Sequence, residues 1–335
     1  MTKKIAIMGL GRIGRMHAEM ISHRVDGLEV GLVFDAVQST AVEVGQQLNV
    51  PVAGNLDEVL TSDVDAVAIC TSTDTHVELT VAAAEAGKAI FLEKPVSLNL
   101  SDIDRALAAV SKASVPLQVG FNRRFDPSHA AVQEAVASGD IGDVQLVKIT
   151  SRDPAPPPIE YIKVSGGIFL DMMIHDFDMA RFVVGSEVSQ VYAAAAVRVD
   201  PAIGNAGDVD TAVAVLTHED GTITTIDNSR QAVYGYDQRV EVFGSEGMAK
   251  SENVRQHTTE IHRADGTSLT PVPYFFIERY EASFMAEWRS FVAGLESGDM
   301  SVTGADGRAP LVIGLAALES IRTSKPVDIG SIEVL

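Results

Sequence analysis

The chain has 335 residues, with 26 Lys and Arg against 46 Asp and Glu, a net charge of −20. So acidic a surface excludes nucleic acid and anionic membranes as partners, because both need a basic face that displaces counterions. One cysteine, Cys70, excludes an intrachain disulfide, and no apolar run is long enough to span a bilayer.

The N-terminal "MTKKIAIMGLG" lacks the apolar stretch and cleavage site of a secretory leader, so the chain reads as cytoplasmic. Its length predicts two domains. Residues 1–120 alternate strand and helix patterns. "KKIAIMG", "LEVGLVFD", "VDAVAIC", "KAIFLE" and "PLQVGF" read as buried strands. "RIGRMHAEMISHR", "STAVEVGQQL", "HVELTVAAAEAG" and "SDIDRALAAVSKA" read as the helices between them. Short apolar strands separated by amphipathic helices predict an α/β fold, a Rossmann-type doubly wound parallel sheet.

Residues 121–335 change rhythm and predict an α+β domain with a largely antiparallel sheet. A helix, "PSHAAVQEAVASG", precedes a strand, "VQLVKIT". The loop "DPAPPPIEY" leads into one long helix, "SGGIFLDMMIHDFDMARF". Strand-like runs follow, with hairpin signals at Asp220-Gly221 and Asp265-Gly266. Two further helices are expected around Ile277–Ala293 and Arg308–Thr323.

"IMGLGRIG" sets Gly9, Gly11 and Gly14 as G-x-G-x-x-G between the first strand and first helix, with Arg12 and Ile13 inside the motif. The first glycine permits a tight turn, the second lets backbone approach a pyrophosphate, and the third allows close helix–strand packing. Asp35 ends the second strand, 21 residues after Gly14, where a carboxylate accepts hydrogen bonds from a ribose. No basic residue follows it in "DAVQST", which favours NAD over NADP as cofactor. Thr71, Ser72, Thr73 and His76 lie in the next ligand-edge loop, where His76 reads equally as a packing residue. Cys70 reads as a strand-end thiol and not a nucleophile, since no basic partner adjoins it.

Glu93 and Lys94 end the fourth strand in "FLEKPVS". A cis Lys94-Pro95 bond would turn the lysine inward, whereas Lys94 taken alone reads first as a surface residue. At about 100° per residue, Asp171, His175, Asp178 and Phe182 share one stripe of the long helix. A carboxylate one turn from an imidazole can fix its tautomer and support its cationic form, which suits a general base. The same pair also reads as a satisfied core histidine or a helix ion pair. A metal site is disfavoured by Lys94 and by the lack of a third ligand at suggestive spacing.

These elements, in order "GLGRIG", "CTSTDTH", "EKP", "GFNRRFDP" and "GGIFLDMMIHDFDMARF", resemble the glucose–fructose oxidoreductase / inositol dehydrogenase superfamily over essentially the whole chain. "SRDPAPPPIEYIKVSGGIFLDMMIHDFDMARF" and "YGYDQRVEVFGSEGM" look most like its inositol 2-dehydrogenases. The resemblance implies Lys94, Asp171 and His175 as the catalytic set. It also implies NAD held by the glycine motif, Asp35, Thr71–His76 and the Glu93-Lys94 strand end. Asn122, Arg124, Asp153, Tyr234 and Tyr236 are its weaker candidates for a cyclic-polyol pocket. Ser72 and Thr73 stand where many relatives have Pro and Asn, a departure that bears on nicotinamide contacts. The implied reaction is hydride transfer from a cyclic polyol, myo-inositol or a stereoisomer, to NAD. The implied assembly is a homo-oligomer, with a tetramer favoured, built through the second domain's sheet. Alternatives are a related NAD(P)-dependent sugar dehydrogenase or a non-catalytic dinucleotide-binding regulator.

Overall fold

The computed structural model describes residues 2–332. In chain order the first elements are β1 (Lys3–Met8), α1 (Arg12–Arg24), β2 (Leu28–Phe34), α2 (Gln38–Leu48) and α3 (Leu56–Thr61). Next come β3 (Ala66–Ile69), α4 (Thr73–Glu85), β4 (Ala89–Glu93), α5 (Leu100–Ala113) and β5 (Leu117–Gly120). A 3₁₀ turn at Asn122–Phe125 precedes α6 (Pro127–Ala137), β6 (Val144–Arg152) and α7 (Ile159–Ser165). A π-helical turn at Ile168–Met172 runs into α8 (Ile174–Val184). Then follow β7 (Val188–Ala196), α9 (Pro201–Asn205), β8 (Thr211–His218), β9 (Ile223–Ser229), β10 (Asp237–Gly244) and β11 (Met248–Ser251). The last are β12 (Glu260–Arg263), β13 (Gly266–Leu269), α10 (Phe276–Arg279), α11 (Glu281–Ser297), α12 (Gly304–Thr323), β14 (Val327–Asp328) and α13 (Ile329–Ile332).

Two compact units result. The first comprises the residues up to Asn122 together with Phe284–Ala309. Its five strands are all parallel, in the order β2-β1-β3-β4-β5. The apolar runs explain this: all four residues of β3 and the first four of β4 are buried, as a sheet covered on both faces requires. The strand order reverses between β1 and β3, and the glycine turn leaves the end of β1 at that point. A boundary at residue 120 assigns the later helices to the second domain, but the contacts return Phe284–Ala309 to the first. The reason is aromatic packing: Trp288 lies 4.3 Å and Phe291 5.8 Å from the Phe91 ring centroid on β4. No local pattern announces a contact between residues so far apart in sequence.

The second unit comprises Arg123–Ser283 and the residues from Pro310 on. Its seven strands run β11-β10-β6-β9-β8-β7-β14, with β6–β9 parallel and the other pairings antiparallel. Along β8, Ala212, Ala214 and Leu216 are buried while Val213 is exposed, so one sheet face is covered and the other is open. On the covered face, Ser320 of α12 accepts a hydrogen bond from the Ala193 amide of β7 at 3.0 Å. The hairpin signalled by Asp265-Gly266 forms, but β12 and β13 pair only with each other, apart from the main sheet.

The expected single helix over residues 165–182 is corrected. The proline-rich loop yields to α7, which ends at Gly166 (φ +88°) and Gly167 (φ +76°), a backbone region that favours glycine. The π turn follows, closed by the Met173 amide on the Ile168 carbonyl at 2.8 Å, and α8 begins only at Ile174. The amphipathic pattern cannot distinguish a π turn from an α turn, because both present the same residues in the same order.

Candidate active site

In the first unit the glycine turn is built as its spacing predicts. Gly9 has φ +86°, and a Cβ there would lie 2.7 Å from the Cys70 carbonyl group and the Thr71 amide nitrogen. A Cβ on Gly14 would lie 1.8 Å from the Gly9 oxygen, so only glycine lets α1 sit so close to the turn. Gly11 differs: a Cβ there would meet nothing within 4 Å. It caps α1, no side chain satisfies the helix's first amides, and no acidic residue occupies the first turn. An open approach to uncapped amides fits a pyrophosphate, with Arg12 and Ile13 flanking it in the first turn of α1. Gly11→Ala is therefore expected to leave the melting temperature unchanged while weakening NAD binding about tenfold or more, read by fluorescence titration. Gly14→Ala, by contrast, is expected to destabilise the fold itself.

Asp35 supports this turn as well as facing it. Its Oδ2 accepts from the Leu10 amide at 2.6 Å and its Oδ1 from the Val37 amide at 2.8 Å. Each oxygen keeps a second lone pair, which is what a ribose hydroxyl needs. In the next loop, Thr75 Oγ lies 2.7 Å from Thr71 Oγ, and Ser72 starts α4 without capping it through its side chain. His76, within α4 and buried, places Nδ1 2.8 Å from the Pro95 carbonyl and Nε2 3.2 Å from the Thr71 carbonyl. Burial lowers its pKa, so the neutral ring donates to one carbonyl, and the shorter contact identifies Pro95. The structure thus gives His76 a tie between α4 and the Lys94-Pro95 loop, whose peptide bond is cis.

Glu93 has an anchor absent from the sequence reading. The Trp288 indole donates to His17 Nδ1 at 2.9 Å, and His17 Nε2 contacts Glu93 Oε1 at 2.7 Å. An indole N–H can only donate, so Nδ1 is the acceptor and the proton resides on Nε2, pointing at Glu93. The carboxylate that precedes Lys94 is thereby fixed through a buried ring. Burial, with Glu93 and Glu287 beyond it, raises the Cys70 thiol well above its ordinary value, which makes it a poor nucleophile.

In the second unit, the carboxylate of Asp171 is held from two directions. Tyr161 on α7 donates to Oδ1 at 2.8 Å, and Arg230, just past β9, donates to Oδ2 at 3.1 Å. His175 follows one turn later, half-buried on α8. The rest of the predicted stripe serves another purpose. Arg124 forms a fork with Asp178, Nε–Oδ2 at 2.9 Å and Nη2–Oδ1 at 2.6 Å, and stacks 5.3 Å from the Phe182 ring. This pairing takes up its charge within the protein.

The remaining pocket candidates separate in the same way. Asn122, ending the first unit, is buried. Asp153 is pushed up to about 6 by burial, aided by the Asp171 and Asp176 carboxylates and opposed by Arg230 and Arg123. Tyr236 is buried against Arg123, which donates to its oxygen at 3.3 Å. Tyr234 is half-exposed and donates to the buried Asp237 at 2.6 Å, in a network that includes Arg152. Arg123, whose guanidinium pairs with the fully buried Asp176 at 2.7 Å, escaped the sequence reading although it adjoins Arg124. Among the described residues, no helix is long and apolar enough to cross a membrane.

Comparison with known proteins agrees with this layout. Residues 3–121 match the oxidoreductase family with an NAD-binding Rossmann fold, and residues 129–250 match the GFO/IDH/MocA C-terminal domain. The chain is 47% identical to a myo-inositol 2-dehydrogenase of Thermotoga maritima over 97% of its length and 98% of that protein's. It is 45% identical to an inositol 2-dehydrogenase of Rhizobium meliloti, covering 98% of this chain and all of that one. A solved structure of scyllo-inositol dehydrogenase from Lactobacillus casei, with bound NAD(H) and scyllo-inositol, superimposes with a TM-score of 0.92 at 30% identity, covering 98% of this chain and 100% of that one.

Proposed function

The chain belongs to the GFO/IDH/MocA family of NAD-binding oxidoreductases, and from that membership we propose that it oxidises an inositol to the corresponding inosose. The observation that carries this reading is the identity of 45–47% to inositol 2-dehydrogenases over nearly the entire chain. The site geometry is compatible with it: an open glycine turn suits the dinucleotide, and a firmly held carboxylate precedes an imidazole by one turn.

Bound NAD supplies a hydride acceptor at the nicotinamide. His175 removes the proton of the reacting hydroxyl. Asp171 orients the imidazole and balances the cation formed on it. Lys94 hydrogen-bonds the same oxygen and disfavours its protonated state. Asp153 accepts hydrogen bonds from neighbouring ring hydroxyls, with Tyr236 beside it. Orientation and charge stabilisation of this kind provide most of the rate in such reactions. The reading extends to self-association through the open face of the seven-stranded sheet, where Tyr192, Val213 and Phe243 are exposed, with a tetramer as the assembly.

The decisive experiment is an NAD-reduction panel over myo-, scyllo- and D-chiro-inositol and glucose. Reduction with at least one inositol, well above that with glucose, is the expected result. Preference for glucose would move the assignment to a sugar dehydrogenase of the same family. NAD binding without turnover of any polyol would favour a dinucleotide-binding regulator.

A further inference from the structure

Arg230 is 1% exposed, an expensive place for a guanidinium unless its surroundings repay it. Two carboxylates flank it. Its Nη1 donates to Asp171 at 3.1 Å, and its Nη2 lies 3.6 Å from Asp208 Oδ2. Asp208 in turn accepts the amide of Ile168, the first residue of the π turn, through Oδ1 at 3.1 Å. A Cβ at position 167 would lie 2.5 Å from that oxygen, so Gly167 is what lets Asp208 come so close. The short turn that carries Asp171 is therefore pinned at both ends to one ionic unit, Asp208–Arg230–Asp171. Tyr161 fixes the second oxygen of Asp171 from the opposite flank at 2.8 Å, and its own ring is half-exposed.

We infer that Tyr161 and Arg230 are positioning residues for oxidation, acting through Asp171 to aim its carboxylate at His175. This rests on the catalytic reading of Asp171. A carboxylate on a π turn, with its two oxygens given to partners from α7 and from the end of β9, has little freedom to rotate. The support that a carboxylate lends an imidazole depends on its orientation, because a hydrogen bond between them weakens steeply as its angle departs from linear. Neither residue needs to touch substrate or cofactor for this role.

A double-mutant cycle tests it. Tyr161→Phe removes only a hydroxyl from a half-exposed ring. It is expected to lower kcat about three- to tenfold, the equivalent of one hydrogen bond, with the Kd for NAD and the melting temperature unchanged. Arg230→Lys is expected to lower kcat further. Asp208→Asn slackens Arg230 without removing the buried cation, and so tests the Arg230 half even if the lysine variant does not fold. In an Asp171→Asn background each of these changes is expected to have no additional effect on kcat, since the group they act through is gone. Effects that multiply with Asp171→Asn, or wild-type kcat in Tyr161→Phe and Asp208→Asn, overturn the inference. If Asp171→Asn itself retains wild-type turnover, the catalytic reading of Asp171 fails instead, and the two failures are told apart by that single variant.

Discussion

His175→Ala is expected to lower kcat for inositol oxidation by about 10²–10⁴-fold while NAD binds as before. The expectation rests on the proposed role of His175 as the base. The glycine turn, Asp35 and the uncapped start of α1 all lie in the first unit, whereas His175 lies on α8 of the second. On the proposed reading, removing the imidazole leaves the hydroxyl proton without an acceptor as the hydride departs, while the residues proposed to hold NAD are untouched. Water is a weak substitute at neutral pH, which sets the scale of the loss. Steady-state absorbance of reduced nicotinamide gives kcat, and fluorescence quenching gives the Kd for NAD. A His175→Ala enzyme that turns over at the wild-type rate would remove the imidazole from the reaction. A parallel loss of NAD affinity would mean that the substitution acts on the fold instead.

Glu287→Gln is expected to make the protein more stable, increasingly so as pH rises. Glu287 lies on α11 in the core of the first unit, fully buried, and neither carboxyl oxygen has a hydrogen-bond partner among the described residues. Burial, with the Glu93 carboxylate as a lesser cause, raises its pKa well above that of an ordinary glutamate. The sign follows from proton counting. Below the unfolded glutamate's pKa both states hold the proton, and Glu287 adds no pH-dependent cost. Above it the unfolded chain gives up a proton that the folded chain retains, so stability falls until the raised folded pKa is passed. The slope in that window is more than about 1 kcal/mol per pH unit. The glutamine variant has no such proton, and its denaturation midpoint should be flat by comparison. Urea titrations of both proteins at several pH values above that of ordinary glutamate ionisation read the difference. Equal slopes would show that Glu287 ionises without penalty, through water or movement of α11. Gln118, whose Nε2 donates to the Glu287 backbone carbonyl at 3.3 Å, has an unpartnered Oε1 of its own, so this part of the core is under-satisfied in polar partners.

Features that depend on near neighbours along the chain were legible before any tertiary contact was known. Gly9, Gly11 and Gly14 act within one turn, so their spacing specifies the tight bend, the open approach and the close helix packing that the backbone shows. Continuous apolar runs specify the covered parallel strands, because burial follows periodicity directly. The equally apolar run Ala212–Leu216 of β8 leaves one face open, which the fold decides and the run does not. The tertiary structure alone decided which distant side chain meets which carboxylate. Arg230 reaches Asp171 across 59 residues, and Trp288 reaches His17, the anchor of Glu93, across 271. It also decided that Arg124 is spent on Asp178, and that a π turn interrupts what reads as one helix. Such pairings leave no periodic trace. They arise only when chain folding brings remote segments together, and the cost of burying an unpaired charge then selects the partner.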